Sequence, residues 1–153
     1  MSAIALLLWI YDFGISNSTF IFLNKDGDQA KENLRRLGTL IELLPEYMRF
    51  KSITDEDGKV NKGKTNATQY QHPVTENLII IKPQATSYDK ALSIARGLTA
   101  PIIYHDEPEF TPYFNVITNN SVSTFETAHR IAVSNGAYSA RIYTCTPEQH
   151  RAA

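Results

Sequence analysis

Two adjacent carboxylates close a short apolar run, Pro101-Ile102-Ile103-Tyr104-His105-Asp106-Glu107. Ile102 to Tyr104 read as a buried strand. Asp106 and Glu107 then fall at its C-terminal end, where open α/β sheets gather their ligands. Neighbouring acids there can divide the work of phosphoryl transfer, one holding magnesium and the other orienting the attacking water. Later in the chain Arg141-Ile142-Tyr143-Thr144-Cys145-Thr146-Pro147 forms a second strand-like run, closed by hydroxyl residues and a proline. The Gly-x-x-x-x-Gly-Lys-Ser/Thr pattern of a phosphate loop is met once, at Gly58-Lys59-Val60-Asn61-Lys62-Gly63-Lys64-Thr65, but in a polar stretch with neither an apolar strand before it nor a helical pattern after it, the context such a loop requires. A lone Asp-Glu pair is also what a solvated strand end looks like. The ordering singles this one out: strand, acid pair, loop, helix, strand, then Thr-x-Thr-Pro.

The elements that must position these residues follow from periodicity and punctuation. Ser2–Phe13 has helical composition and is apolar almost all round, which predicts a core helix broken by Gly14 and Ser16-Asn17-Ser18. Thr19 to Leu23 reads as a fully buried strand. A long amphipathic helix is predicted over Asp28–Leu44, with Leu34, Leu37, Ile41 and Leu44 on one face and Pro45 ending it. Residues 49–77 are polar. A short strand is expected at 67–71 and a strong one over Asn77–Lys82, paired as a hairpin or meander. Thr86-Ser87-Tyr88-Asp89 reads as a capping box opening a helix that ends at Arg96-Gly97. Ser123-Thr124-Phe125-Glu126 is a second match, predicting a helix to Ser134 closed by Asn135-Gly136. Strands alternating with helices predict a mainly parallel α/β sheet.

Composition narrows the class. At 153 residues the chain suffices for one domain with a real core, and 42% hydrophobic with 20% charged residues is ordinary for a globular protein. A net charge of −1 gives no hint of nucleic-acid binding. Lys51, Lys59, Lys62 and Lys64 are interspersed with Asp55, Glu56 and Asp57, which reads as a solvated loop rather than a DNA groove. The single cysteine, Cys145, cannot form an internal disulfide and has no zinc-site partners, which fits a reducing cytoplasm. It is expected to be a small buried residue at a strand end. The Ala3 to Ile10 run lacks the flanks of a signal peptide, and Asp12 interrupts it well short of the roughly 20 apolar residues of a membrane span.

Taken together, these residues resemble the ATPase domain of the large terminase subunit, the motor that packages DNA into tailed-phage heads. Ile102-Ile103-Tyr104-His105-Asp106-Glu107 resembles its Walker B motif, and Thr144-Cys145-Thr146-Pro147 its coupling motif. Arg96-Gly97 shortly before the Walker B strand, and Asn24-Lys25-Asp26 before a helix ending Glu42-Leu43-Leu44-Pro45, are similar too. The resemblance covers nearly the whole chain and implies a P-loop NTPase fold of the additional-strand, RecA-like type without its phosphate-loop strand. It implies that the chain is a fragment, cut just after the phosphate loop and just after the coupling motif, with the nuclease domain absent. His105 departs from the family, standing where an apolar residue is usual, and is expected to be packed or hydrogen-bonded rather than a ligand.

The roles implied are specific. Asp106 would hold Mg²⁺, mostly through water. Glu107 would orient and deprotonate the water that attacks ATP. Thr144 and Thr146 would sense the γ-phosphate. Arg96 would neutralise phosphate charge or contact a neighbouring subunit, a plain helix-terminal arginine being an equal alternative. For Asn24 and Lys25 a plain turn competes with a role in DNA contact or coupling. The partners implied are double-stranded DNA, the portal protein, the small terminase subunit and further copies in a ring, without a membrane. The place implied is the host cytoplasm at the procapsid portal. Three other readings stand beside this one: a helicase-like ATPase, a nuclease, for which two acids are too few, and a non-enzymatic α/β interaction domain. In the terminase reading the Arg141–Thr146 strand is left as an exposed sheet edge, with Ile102–Tyr104 and then Thr19–Leu23 next in order.

Overall fold

The apolar run Thr19–Asn24 becomes the central strand, β1, of a five-stranded sheet. The structure is a computed structural model that describes residues 3–24, 26–48, 53–54, 60–61 and 68–145. In chain order its elements are α1 (Ala3–Trp9), β1, α2 (Gly27–Leu43), β2 (Ile53–Thr54), β3 (Val60–Asn61), β4 (Gln69–Gln71) and β5 (Leu78–Ile81). These are followed by α3 (Tyr88–Arg96), β6 (Ile102–Asp106), α4 (Phe114–Asn120), α5 (Val122–Ser134) and β7 (Ala140–Thr144). The sheet runs β4-β5-β1-β6-β7. All neighbours are parallel except β4 and β5, which form the antiparallel pair expected around Pro73. β7 is the edge, with β6 and β1 next, the order that the resemblance implied.

Side-chain alternation divides the sheet into two packed faces. Phe20 and Phe22 of β1, Ile79 and Ile81 of β5, and Ile102 and Tyr104 of β6 pack with α1 and α2. Ile21, Leu23 and Ile103 point the other way, with Ala91 and Ile94 of α3 and Ile117 of α4. Strands covered on both faces read as continuous apolar runs, which is why β1 was legible from its sequence. α2 starts where Asp26 accepts the Gln29 amide at 2.7 Å, and Leu34 and Leu37 form its buried stripe.

Several expectations need correction. α1 is not buried all round: its far side exposes Leu6 and Trp9, and Phe13 beyond it is also exposed. The helix ends in a π-helical turn, Ile10–Gly14. α3 is capped by Ser87, one residue later than the sequence match, and Ser87 accepts from the Lys90 amide. The segment after the acid pair holds an unforeseen helix, α4. α5 begins at Val122, so Ser123 lies inside it and caps nothing; no side-chain bond caps this helix start. Asn135 and left-handed Gly136 close α5 as expected. The polar segment contains the antiparallel pair β2-β3, which its sequence did not announce. Cys145 is exposed, because β7 stops at Thr144 and no described residue covers the chain there. Lys25, Thr146 and the lysine and acid residues between 51 and 64 named above lie outside the described residues. Among the described residues no helix is long and apolar enough to cross a membrane.

Candidate active site

Three parallel strands end level with one another, and the register puts Asn24 of β1, Asp106 of β6 and Thr144 of β7 side by side. In-register residues of adjacent strands share a face, so these three extend the row of Phe22, Tyr104 and Ile142 beneath α1 and α2.

Asp106 is the hub. Thr144 Oγ1 donates to its Oδ1 at 2.7 Å. On Oδ2 it accepts Asn33 Nδ2 at 3.0 Å and Asn24 Nδ2 at 3.3 Å. Tyr104 lies two residues back on the same face, its hydroxyl 3.0 Å from Thr144 Oγ1. Thr144 spends its one proton on Asp106, so Tyr104 is the donor in that pair. Burial pushes the Tyr104 phenol up; the Thr144 bond opposes this and the Asp106 carboxylate adds to it.

Glu107 follows at the strand end with φ 50° and ψ 58°, in the left-handed region. For a residue other than glycine this conformation costs about 1 kcal/mol. Pro108 disfavours the right-handed helical region for the residue before it. The Glu107 amide donates to Thr144 O at 2.7 Å, which extends the β6–β7 ladder past Asp106. The half-buried Glu107 is thereby held on the same edge as Asp106 and Thr144.

His105 belongs to the opposite face and is buried. Its Nε2 is 3.0 Å from Thr111 Oγ1, and its ring packs against Phe114 and Tyr143. Burial pushes the imidazole down to about 4, against the pull of the neighbouring Asp106 carboxylate. It is a packed, hydrogen-bonded histidine, as expected.

Arg96 is not brought to this edge. It is exposed at the end of α3, and the chain then leads through Leu98 and Ala100 to the start of β6, the end of the strand remote from Asp106. Asn33 was missed by the sequence reading. The signal for it was a polar residue inside the stripe Ala30, Leu34, Leu37, at helical spacing, and Asn33 is only 2% exposed.

The oxygen-rich donor set suits a hard cation. Among the described residues no three His, Cys, Asp or Glu side chains converge, so the edge is not a closed protein cage. Magnesium typically uses one or two carboxylates with substrate phosphates and water, and the adjacent Asp106 and Glu107 fit that pattern.

The architecture is thus a mixed α/β fold, a mostly parallel sheet flanked by helices, with a polar cluster at the carboxyl edge. No family model and no curated protein matches the sequence. A solved structure of the large terminase from a thermophilic bacteriophage is similar over 94% of this chain, with a TM-score of 0.55 and 13% identity. The chain spans 30% of the length of that terminase chain. At this identity the likeness shows a terminase-like fold and does not extend to activity.

Proposed function

We propose that this chain supplies the water-activating and coupling edge of an ATP-hydrolysing motor of the large-terminase type, which drives double-stranded DNA into a procapsid. The observation that carries the reading is the level row of Asp106 and Thr144, joined by a 2.7 Å bond, with Glu107 turned at its end. Asp106 holds the hydrated Mg²⁺ and Glu107 takes the proton of the attacking water. Bound Mg²⁺ neutralises charge that builds on the phosphates in the transition state. Thr144 bonds Asp106 and ends β7, so in this reading it links the metal-holding carboxylate to that strand. Thr146 extends that route in this reading, and Arg96 serves a neighbouring subunit rather than its own Asp106 edge. The portal protein, the small terminase subunit, a ring of copies and a host-cytoplasmic location at the portal belong to the same proposal.

A phosphate loop cradles phosphates with its backbone N–H groups and lysine. The 58–65 stretch, which fits its sequence pattern, contains β3 and is followed in element order by β4 rather than by a helix, so it lacks the strand-loop-helix setting. The 153-residue chain by itself is therefore expected to bind ATP weakly and not to turn it over. Reading the genomic DNA upstream of the Met1 codon tests the proposal. An open frame running back into Gly-Lys-Ser or Gly-Lys-Thr supports it. A genuine start at Met1, with no such motif encoded ahead of it, overturns it.

A further inference from the structure

The carboxamide of Asn24 is used on one side only. Its Nδ2 donates to Asp106 Oδ2 at 3.3 Å, while its Oδ1 is buried and meets no hydrogen-bond donor among the described residues. Asn24 is only 5% exposed, so bulk water does not satisfy that oxygen, and a buried acceptor left without a donor costs about 1–3 kcal/mol. Turning the amide over would set Oδ1 against a carboxylate oxygen and lose the Asp106 bond, so the orientation is fixed by its neighbour. Oδ1 and Nδ2 share one carbon, which keeps the unsatisfied oxygen beside the nitrogen that reaches Asp106 Oδ2.

Asp106 is correspondingly saturated on that side. Oδ2 takes two amide donors, Asn33 and Asn24, and has no lone pair left for a metal. Oδ1 takes the Thr144 hydroxyl and keeps a second lone pair. A cation at this edge meets Asp106 through Oδ1 or through its own water shell, and the next acceptor in the row is Asn24 Oδ1. Asn24 stands in register with Asp106, so the two end neighbouring strands at the same height.

We propose that Asn24 is a further cation-positioning residue of this edge: its buried Oδ1 accepts a hydrogen bond from the water shell of a divalent cation held at Asp106, while Asn33 pins the carboxylate in place. This rests on the magnesium reading of Asp106. It gives the strand-end asparagine a chemical task beyond turning the chain.

The test is a titration of the ¹⁵N-labelled chain with Mn²⁺ alone, reading paramagnetic broadening of the Glu107 amide, with Asp106→Asn, Asn24→Leu and Asn24→Asp alongside wild type. Asp106→Asn is expected to abolish saturable broadening. Asn24→Leu is expected to weaken Mn²⁺ binding roughly tenfold, as loss of an outer contact to a metal site does. Asn24→Asp is expected to tighten binding by a similar factor, and Mn²⁺ should raise its unfolding temperature more than that of wild type. A purely structural asparagine would not give that gain. If Asn24→Leu does not fold, Asn24→Asp decides alone. An Asn24→Asp chain that Mn²⁺ neither binds more tightly nor stabilises overturns the proposal while leaving the magnesium reading intact. Site-specific broadening that survives in Asp106→Asn overturns both.

Discussion

Thr144 Oγ1 donates a 2.7 Å hydrogen bond to Asp106 Oδ1, and the two residues are directly paired at the ends of neighbouring parallel strands. The bond joins an edge strand to the carboxylate at the centre of the polar cluster. A hydrogen bond to a charged partner contributes about 2 kcal/mol. Thr144→Val should therefore lower stability by about that amount in urea unfolding, whereas Thr144→Ser should stay close to wild type. The Thr144→Val/Asp106→Asn double variant should lose clearly less than the sum of the single losses. Strict additivity would mean that the two side chains do not support each other.

Asn33 reaches the same carboxylate from α2, on the opposite oxygen. Replacing it with aspartate sets two carboxylates about 3 Å apart in a buried site, which disfavours ionising both. Asn33→Asp should lose several kcal/mol at neutral pH, in the range typical of a broken buried pair. It should recover part of that as the pH falls through the carboxylate range. Urea melts at neutral and acid pH check this, and a loss independent of pH would contradict the contact.

His105 predicts an acid-sensitive window. Burial holds its imidazole near 4, below the ordinary value of 6.5, so the unfolded chain binds the proton more readily than the folded one. The stabilisation is complete above about 6.5 and is lost as pH falls toward 4. That depression corresponds to about 3 kcal/mol. The His105 Cε1 resonance should titrate with a midpoint near 4. His105→Gln should flatten the acid limb of stability relative to wild type. A midpoint near 6.5 would show the ring to be solvated.

How much of this was legible in the sequence depends on what each residue had to satisfy. The strands Thr19–Asn24, Leu78–Ile81 and Ile102–Asp106 were readable because burial on both faces demands unbroken apolar runs. Asp106 and Glu107 could be placed at a strand end because the apolar run of β6 stops there. Asn24 and Asn33 were not read as a pair. Their contacts to Asp106 span 82 and 73 residues of sequence, and only the register of β1 on β6 and the packing of α2 bring them together. The misplaced start of α5 has a local cause: Ser123 and Glu126 fit the capping spacing, but α4 runs almost directly into α5. The burial expected of Cys145 failed for an opposite reason. The strand ends one residue before it, a boundary set by where Glu107 closes the ladder.

The β7 edge carries its own prediction. Among the described residues no strand pairs with its outer side, and Tyr143 there is 45% exposed. An uncovered edge with exposed aromatic surface invites edge-to-edge association. The isolated chain should aggregate on heating in a concentration-dependent way, and Tyr143→Lys should slow this. Static light scattering during a thermal ramp reads it directly. A sharp, reversible transition of a monomer would contradict the expectation.

The central claim concerns Glu107, and the most direct measurement is Mg²⁺-dependent ATP hydrolysis by the product of the complete open reading frame that encodes this chain. Wild type and Glu107→Gln should be compared after circular dichroism has shown equal folding. The account predicts measurable turnover in wild type and a fall of roughly a hundredfold or more in Glu107→Gln, in line with removal of a general base. A wild-type protein without ATPase activity, or a Glu107→Gln protein that keeps its rate, would contradict it.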